Sequence, residues 1–225
     1  MLNGPVTVTA AKPLADDSPD HLFPHGTARD NSFNWAFNYK LRQIAPVPLS
    51  VLDLGCSGGG MVASFIHEGT FAVGIEGSDY SRNTGRAEWA TIPGNLFVAD
   101  ITAPFSVECG GKPVLFTVVT LWEVIEHIAE ERLPEVFGNI DAHLAPGGLV
   151  VMSVSPNRDA PGGEDLHQTV QPREWWMQTF DDLGWRNHPD AVEWFGADVV
   201  RGGWNAPDSF HVVLTRKMDD VTFNL

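Results

Sequence analysis

Apolar residues follow two different patterns along this chain. In 51–54, 71–75 and 114–122 they run almost without interruption, which is typical of strands buried on both faces of a parallel sheet. In 33–44 they recur at helical spacing, and 132–144 also indicates a helix. Strands that alternate with helices predict an α/β fold with a parallel sheet.

The predicted helix over 33–44, within a segment spanning 30–45, carries more aromatic residues than one face can hold. Trp35 and Tyr39 are four positions apart and form a second apolar stripe. Because a helix that is apolar on two faces must bury both, two interpretations remain. The helix packs against an edge of the sheet, or it covers a substrate cleft as a lid.

The start of the chain differs from its middle. Residues 1–25 are rich in Pro, Asp and Ala and show no periodicity, so we expect an irregular arm over 1–28. The remaining residues, 29–225, are enough for one domain with a full core. Residues 1–15 have neither a basic start nor an apolar run, so they do not resemble a secretory signal.

The last third of the chain predicts a helix and a pair of strands. A polar connection rich in Gly and Pro, 155–171, precedes a helix over 172–183 that begins at a proline. The segments 191–195 and 209–215 have the composition of strands, and we expect them to form an antiparallel closing pair. The loop between these strands includes 202–207.

A glycine-rich turn follows the first buried strand, within 51–60. Its pattern is Asp53-x-Gly55-x-Ser57-x-Gly59. The dinucleotide fingerprint requires a glycine where Ser57 stands, and a phosphate loop of the Walker type requires a lysine that is absent. The turn therefore predicts a nucleoside ligand that approaches the backbone closely and needs no phosphate cradle.

Two acidic residues stand at the ends of later strands. Glu76 lies 21 positions after Gly55, the separation at which nucleoside-binding α/β sheets place the carboxylate that accepts from ribose hydroxyls. After a predicted helix over 82–90, Asp100 falls near the end of a third strand, predicted over 95–101. A surface aspartate that caps a turn is the alternative for Asp100.

Several motifs in order resemble the class I S-adenosylmethionine-dependent methyltransferases. They are the turn at 53–59, with Ser57 in place of the more usual glycine, the Glu-Val-Ile-Glu-His-Ile string at 123–128, and the Pro-Gly-Gly turn at 146–148. The string is similar to that of ubiquinone-pathway O-methyltransferases and of small-RNA 2'-O-methyltransferases. The resemblance covers about 51–155.

This resemblance implies a fold and a cofactor. The fold is a single Rossmann-like domain with a doubly wound sheet of seven strands, mostly parallel with an antiparallel C-terminal strand. The cofactor is S-adenosylmethionine as methyl donor, and in the family an acid at the place of Asp100 accepts from the adenine amino group. The residues expected to bind the cofactor are Asp53, Gly55, Cys56, Ser57, Gly59, Glu76, Asp100, Ile101, Leu121 and Trp122.

Transfer of a methyl group to oxygen requires a group that takes up the proton. His167, in the loop expected beside the methyl group, is the candidate base because histidine titrates near working pH. Glu123, Glu126 and His127 are spaced i, i+3 and i+4, so on a helix they would converge on one face. In the small-RNA family such a string holds a metal together with a later histidine, for which His167 is the match.

Composition limits the partners. The chain has 29 acidic and 14 basic residues and a formal net charge of −15, which disfavours DNA and RNA held through their phosphates. Two cysteines give no disulfide framework. No apolar run approaches the roughly 18 residues of a membrane span, so we expect a cytoplasmic protein without membrane contact. The oligomeric state is not predicted.

Together these features predict an S-adenosylmethionine-dependent methyltransferase that acts on a hydroxyl of a small polar molecule, such as a sugar or a natural-product intermediate. One alternative is a metal-dependent O-methyltransferase acting on a diol, a catechol or an RNA end through Glu123, Glu126, His127 and His167. Another alternative is a module that binds S-adenosylmethionine without catalysis.

Overall fold

Strands and helices alternate along the chain. The structure, a computed structural model, describes residues 4–202, 206–223 and 225. Its strands are β1 Val6–Ala10, β2 Ser50–Leu54, β3 Phe71–Glu76, β4 Leu96–Val98, β5 Phe105–Cys109, β6 Lys112–Pro113, β7 Phe116–Trp122, β8 Leu144–Val154, β9 Trp185–Asn187 and β10 Phe210–Arg216. Its α-helices are α1 Pro19–Leu22, α2 Trp35–Ile44, α3 Gly60–His67, α4 Tyr80–Thr84, α5 Leu133–His143, α6 Arg173–Asp182 and α7 Pro189–Phe195.

Seven of these strands form one sheet with the order β4-β3-β2-β7-β8-β10-β9. The first five are parallel, and β10 runs antiparallel to both of its neighbours. The doubly wound, mostly parallel sheet with an antiparallel C-terminal strand is therefore confirmed. The chain places β3 and β4 on one side of β2, and then places β7 and β8 on the other side. At such a reversal of strand order, a crevice opens at the carboxyl ends of the two central strands, here β2 and β7.

The central strands are buried on both faces, as their continuous apolar runs predict. All five residues of β2 are buried. One face of the sheet packs against a cluster that includes Ile140 of α5 and Trp176 of α6, and the other against Phe37 of α2 and Phe65 of α3. Helices therefore cover both faces of the sheet, so a ligand can approach it only at an edge.

The prediction of an irregular arm over 1–28 is wrong for Val6–Ala10 and Pro19–Leu22, which form a strand and a short helix. β1 pairs antiparallel with β5 in a second, three-stranded sheet, β1-β5-β6, and α1 follows. The reason is visible in Val6–Ala10, where apolar and threonine residues alternate, so that one side of the strand is half-buried and the other is exposed.

The prediction of a strand over 191–195 is also wrong, because these residues belong to α7. Pro189 occupies the first turn of that helix, and Ala191 and Phe195, four positions apart, are buried on one face. The strand that closes the sheet beside β10 is β9 instead. Of the predicted loop over 202–207, residues 203–205 lie outside the described residues.

The segment predicted as one helix over 82–90 is divided. Gly85 adopts a left-handed conformation with φ of +61° and ends α4, after which Ala87–Ala90 forms a short 3-10 helix. Glycine readily adopts such a conformation, which terminates helices.

The α2 helix buries one aromatic stripe and exposes the other. Phe37 is fully buried, whereas Trp35 and Tyr39 are 46% and 67% exposed, so the expectation that both stripes are buried is wrong. Among the described residues, no helix has the length and apolar character needed to cross a membrane.

Candidate functional site

A cavity of about 260 Å³ lies at the carboxyl edge of the main sheet. Gly55 and Ser57 of the turn after β2 line it, as do Glu76 at the end of β3 and Trp122 at the end of β7. This is the crevice in which open α/β sheets bind their ligands. The structure therefore brings the predicted glycine turn and the predicted acid to one cavity.

The glycine turn has a left-handed backbone at three positions. The φ angles of Gly55, Ser57 and Gly59 are +75°, +46° and +86°. A Cβ atom at Gly55 would lie 2.4 Å from a methyl group of Val124, so only glycine fits there. Ser57 is not a glycine, so its left-handed backbone is strained. Its hydroxyl donates to the carbonyl groups of Thr27 and Asp30, at 3.1 and 3.0 Å. A serine at this place thus joins the turn to the N-terminal part of the chain.

The Glu76 carboxylate is fixed in the wall of the cavity. One oxygen accepts from the backbone N–H of Ser57 at 2.7 Å, and the other accepts from that of Ser78 at 3.1 Å. The residue is only 6% exposed, and this burial raises its pKa above the ordinary range. Its position suits the predicted role at a ribose, which remains a prediction.

Asp100 and Ile101 also line the cavity. One Asp100 oxygen accepts from the N–H and the hydroxyl of Thr102, at 2.8 and 2.7 Å. The other lies 3.1 Å from the ammonium of Lys12. Both predicted interpretations of Asp100 therefore have support, because it caps a turn and also faces the cavity.

Four of the predicted cofactor residues do not line the cavity. Asp53 lies inside the sheet and accepts from the Thr120 hydroxyl at 2.6 Å. Cys56 and Leu121 are buried, and burial raises the pKa of the Cys56 thiol. Gly59 caps α3. These four residues are therefore part of the structure that surrounds the turn and not of the cavity wall.

Burial also raises the pKa of Asp53, to about 7, which makes folding depend on pH. As the pH rises from ~4 towards 7, the unfolded chain loses the Asp53 proton while the folded chain keeps it, so the free energy of unfolding falls. Between about pH 5.5 and 7, we expect the free energy of unfolding of Asp53→Asn to fall by about 2 kcal/mol less than that of the wild-type protein. Urea unfolding of both proteins at these two pH values measures it. An equal difference between the two proteins at both pH values would contradict the expectation.

Residues 11–30, here called the N-terminal strap, form another wall of the cavity. The N–H of Ala15 donates to the Gly77 carbonyl at 3.0 Å. The guanidinium of Arg86 donates to the carbonyl groups of Thr27 and Asp30. The strap has no periodic pattern in the sequence, so its place over the site was not predicted.

An acidic and histidine cluster adjoins the cavity. Single side-chain atoms of Glu126, His127 and His167 all lie within 4.8 Å of one another. The two imidazole rings meet edge to face with their centroids 4.6 Å apart. His127 lines the cavity, whereas His167 does not and contacts it through His127. The structure thus joins two histidines that are 40 positions apart in the chain.

Each member of the cluster is also held by a contact outside the cluster. Glu126 accepts from the N–H of Ser155 at 2.9 Å, and Nδ1 of His127 lies 2.6 Å from Oδ2 of Asp20, an ion pair without hydrogen-bond geometry. Nδ1 of His167 lies 2.5 Å from a backbone carbonyl. Because a carbonyl only accepts, that nitrogen carries the proton, and Nε2 of His167 keeps a free lone pair.

The cluster members titrate differently. Burial and the nearby Glu123 raise the pKa of Glu126. Burial lowers the pKa of His127, but Asp20 and Glu126 outweigh this and raise it to about 9. Burial and then His127 lower the pKa of His167, so its imidazole is neutral at pH 7. A neutral imidazole with a free Nε2 can accept a proton or bind a cation.

Glu123 stands apart from the cluster. The predicted helix is only one 3-10 turn, Ile125–His127, and Glu123 before it has φ of +56°. One of its oxygens accepts from the Ser209 hydroxyl at 2.9 Å, and the other is buried without a partner. The expected convergence of Glu123 with Glu126 and His127 is therefore wrong, because the backbone does not continue as a helix.

The cluster fits a divalent cation. Oε2 of Glu126 is buried and has no hydrogen-bond partner, a condition that is rare for a carboxylate. One carboxylate with two imidazoles is a donor set that suits Zn²⁺ or Mn²⁺. Glu126, His127 and His167 are the residues that would hold such an ion.

The fold is that of known methyltransferase structures. A glycopeptide N-methyltransferase, MtfA, in complex with S-adenosylmethionine is 15% identical with a TM-score of 0.55, over 80% of this chain and 92% of that chain. A TehB-like methyltransferase from Corynebacterium glutamicum is 14% identical with a TM-score of 0.55, over 90% and 98%. An amino pentose methyltransferase from Micromonospora echinaspora is 19% identical with a TM-score of 0.52, over 80% and 89%.

Comparison of the sequence gives a family. No curated protein sequence matches this chain significantly. The methyltransferase domain model, however, matches residues 33–196, which is most of the chain and includes the glycine turn, Glu76 and the cluster. The chain therefore belongs to the methyltransferase domain family, the class I S-adenosylmethionine-dependent enzymes that its motifs resemble.

Proposed function

We propose that this S-adenosylmethionine-dependent methyltransferase methylates a hydroxyl group of a small polar molecule. The observation that carries the proposal is the neutral His167 imidazole, whose Nδ1 is engaged by a carbonyl and whose Nε2 is free, in contact with His127 of the cavity wall. A hydroxyl needs such a base, since its own pKa is far above working pH.

Methyl transfer is an in-line displacement. The acceptor oxygen forms a bond to the methyl carbon as the bond from that carbon to sulfur breaks, and the electron pair stays on sulfur. The hydroxyl proton passes to Nε2 of His167. The chain also positions the methyl donor against the acceptor. In this proposal the turn at Gly55 and the Glu76 carboxylate, which line the cavity, hold the donor at the edge of the sheet.

The acidic chain supports a small molecule as acceptor over a nucleic acid. With a net charge of −15 it offers little to a phosphate backbone. Two of the similar structures are described as acting on a glycopeptide and an amino pentose. Since one of them is an N-methyltransferase, an amine is the acceptor against which the hydroxyl is tested.

The cofactor assignment is tested by calorimetry. We expect S-adenosylmethionine and S-adenosylhomocysteine to bind and NAD not to bind, because the turn has Ser57 where the dinucleotide fingerprint requires glycine. NAD binding as tight as that of S-adenosylhomocysteine would overturn the assignment.

The acceptor atom is tested with a radiolabelled methyl donor and a panel of hydroxylated compounds and amines. Transfer to hydroxylated acceptors but not to amines supports oxygen as the acceptor, and the reverse result replaces it by nitrogen. Cofactor binding without transfer over the whole panel would favour a binding module.

A metal-dependent O-methyltransferase is the second candidate. Its specific support is the Glu126 carboxylate, whose Oε2 is buried without a partner and which has one oxygen within 4.8 Å of a ring nitrogen of His127 and of His167. A divalent ion there would polarise an acceptor hydroxyl. The ion-pair contact of His127 with Asp20 is also typical of histidines that bind metals, whose second nitrogen is often oriented by a carboxylate.

A further inference from the structure

Glu123 differs from the other carboxylates of the cavity because one of its buried oxygens has no partner. Six described residues of the cavity lining are acidic: Asp17, Asp20, Asp30, Glu76, Asp100 and Glu123. Four of them are in ion pairs, and Glu76 accepts from two backbone N–H groups. Glu123 forms no ion pair with a described residue, and its Oε1 is buried without a hydrogen-bond partner among those residues. Glu123 is therefore the lining carboxylate with a buried oxygen left for a ligand.

Contacts of the backbone and of the side chain hold Glu123 in place. Its backbone N–H donates to the Ser153 hydroxyl at 3.1 Å, and its Oε2 accepts from the Ser209 hydroxyl at 2.9 Å. The backbone of Glu123 is also left-handed, with φ of +56°. Such strain in a non-glycine residue persists only where the surrounding contacts fix it, and it is most frequent at functional sites. Glu123 thus has the fixed position that a ligand-binding group needs, with Oε1 unengaged.

Glu123 lies between the glycine turn and the histidine cluster. The next residue, Val124, packs on the turn, because its methyl group lies 2.4 Å from where a Cβ of Gly55 would be. His127 follows one short 3-10 turn later and lines the same cavity. Glu76 ends β3, and β2 separates β3 from β7, so the backbones of Glu76 and Glu123 are two strand spacings apart, roughly 10 Å. Glu123 therefore belongs to the part of the cavity nearest the cluster, away from the proposed ribose site.

A buried carboxylate oxygen without a partner favours a cation as its ligand, because a buried charge is costly unless it is paired. The cationic side chains of the described lining, Arg132, Arg201 and His127, all pair with other carboxylates. The net charge of −15 also attracts cations to the protein in preference to anions. A primary ammonium is a compact charge with three N–H donors, so it can bond to a single oxygen in a cavity.

We propose that Glu123 binds an ammonium group of the acceptor, which is then a hydroxylated amine such as an amino sugar. The inference rests on the proposed methyl transfer to oxygen. The ammonium donates to Oε1 of Glu123, and a hydroxyl of the same molecule lies towards His127 and His167, where it loses its proton as proposed above. Because the ammonium keeps its proton and has no lone pair, its nitrogen cannot attack the methyl group. Glu123 thereby selects the acceptor and also selects oxygen as the atom that is methylated.

The test compares amines with the matching compounds that lack the amine. The probe pairs are glucosamine with glucose, galactosamine with galactose, and 3-amino-1,2-propanediol with glycerol, titrated by saturation-transfer NMR on the full chain with and without S-adenosylhomocysteine. We expect at least one amine to bind about tenfold more tightly than its neutral partner. Glu123→Gln keeps an oxygen for Ser209 and should abolish this preference. Glu131→Gln removes the same charge at an exposed residue outside the cavity lining and should retain it.

A second variant covers the case in which Glu123→Gln does not fold. Ser209→Ala removes the hydroxyl that holds Oε2 of Glu123, and it should reduce the preference for the amine several-fold. Binding of every amine no tighter than that of its neutral partner by the wild-type chain would overturn the proposal. A preference that neither variant reduces would also overturn it.

Calorimetry of S-adenosylhomocysteine separates this proposal from the proposed function. We expect Glu123→Gln to bind S-adenosylhomocysteine as the wild-type chain does, although this compound carries an ammonium group of its own. A loss of about tenfold would place Glu123 at the cofactor and refute its assignment to the acceptor. No binding of S-adenosylhomocysteine by the wild-type chain would refute the proposed function, whereas absence of the amine preference alone refutes only the role of Glu123.

Discussion

Replacement of His167 by alanine should lower the rate of methyl transfer by about 10²- to 10⁴-fold and leave the affinity for S-adenosylhomocysteine nearly intact. The free Nε2 of His167 is the proton acceptor in the proposed reaction, and His167 does not itself line the cavity that we propose for the cofactor. Transfer rates with saturating donor, together with calorimetry, measure both quantities. His25→Ala, in the strap and outside the cavity lining, is the control and should keep its activity.

Treatment with EDTA distinguishes the two candidate mechanisms. If His167 is a free base, turnover survives EDTA in the wild-type enzyme. Activity that EDTA abolishes and one divalent metal restores would instead establish the cluster of Glu126, His127 and His167 as a metal site. Full activity of His167→Ala in the presence of EDTA would contradict both and leave positioning as the source of catalysis.

Glu76→Ala should weaken the binding of S-adenosylmethionine and of S-adenosylhomocysteine ten- to a hundredfold. Hydrogen bonds to a charged acceptor contribute roughly 1.5–3 kcal/mol, and the variant also leaves the backbone N–H groups of Ser57 and Ser78 without their acceptor. Calorimetry gives the dissociation constants, and thermal unfolding checks that the fold persists. Asp79→Ala, close in sequence but not lining the cavity, is the control. An unchanged dissociation constant for Glu76→Ala would remove Glu76 from the ribose site.

The parts of the site that depend on local sequence could be predicted. Gly55 and Glu76 lie at the ends of adjacent strands, and apolar runs of the right length are enough to place them at one edge. The parallel sheet was predicted from the same apolar runs. Asp53 was expected at the ligand because it belongs to the motif that resembles the methyltransferases, but its side chain lies within the sheet and bonds to Thr120 of the neighbouring strand.

Other parts depend on contacts that no local pattern encodes. The left-handed backbone of Glu123 breaks the helix that its spacing to Glu126 predicted, and a non-glycine residue gives no sign of it. The contact of Asp20 with His127 joins positions more than a hundred residues apart. Such contacts arise from the tertiary fold, so the place of the N-terminal strap could not be predicted from the sequence.

The N-terminal strap forms one wall of the cavity that we propose for the cofactor, which links the strap's stability to occupancy of that cavity. Because Ala15, Thr27 and Asp30 line that cavity, a cofactor bound there would stabilise the strap's contacts by the same free energy with which those contacts stabilise the bound cofactor. The hydrogen bond from Ala15 to Gly77 therefore opens less often when the cavity is filled. Amide hydrogen exchange at Ala15 becomes a direct gauge of how much of the cofactor's affinity the first thirty residues supply.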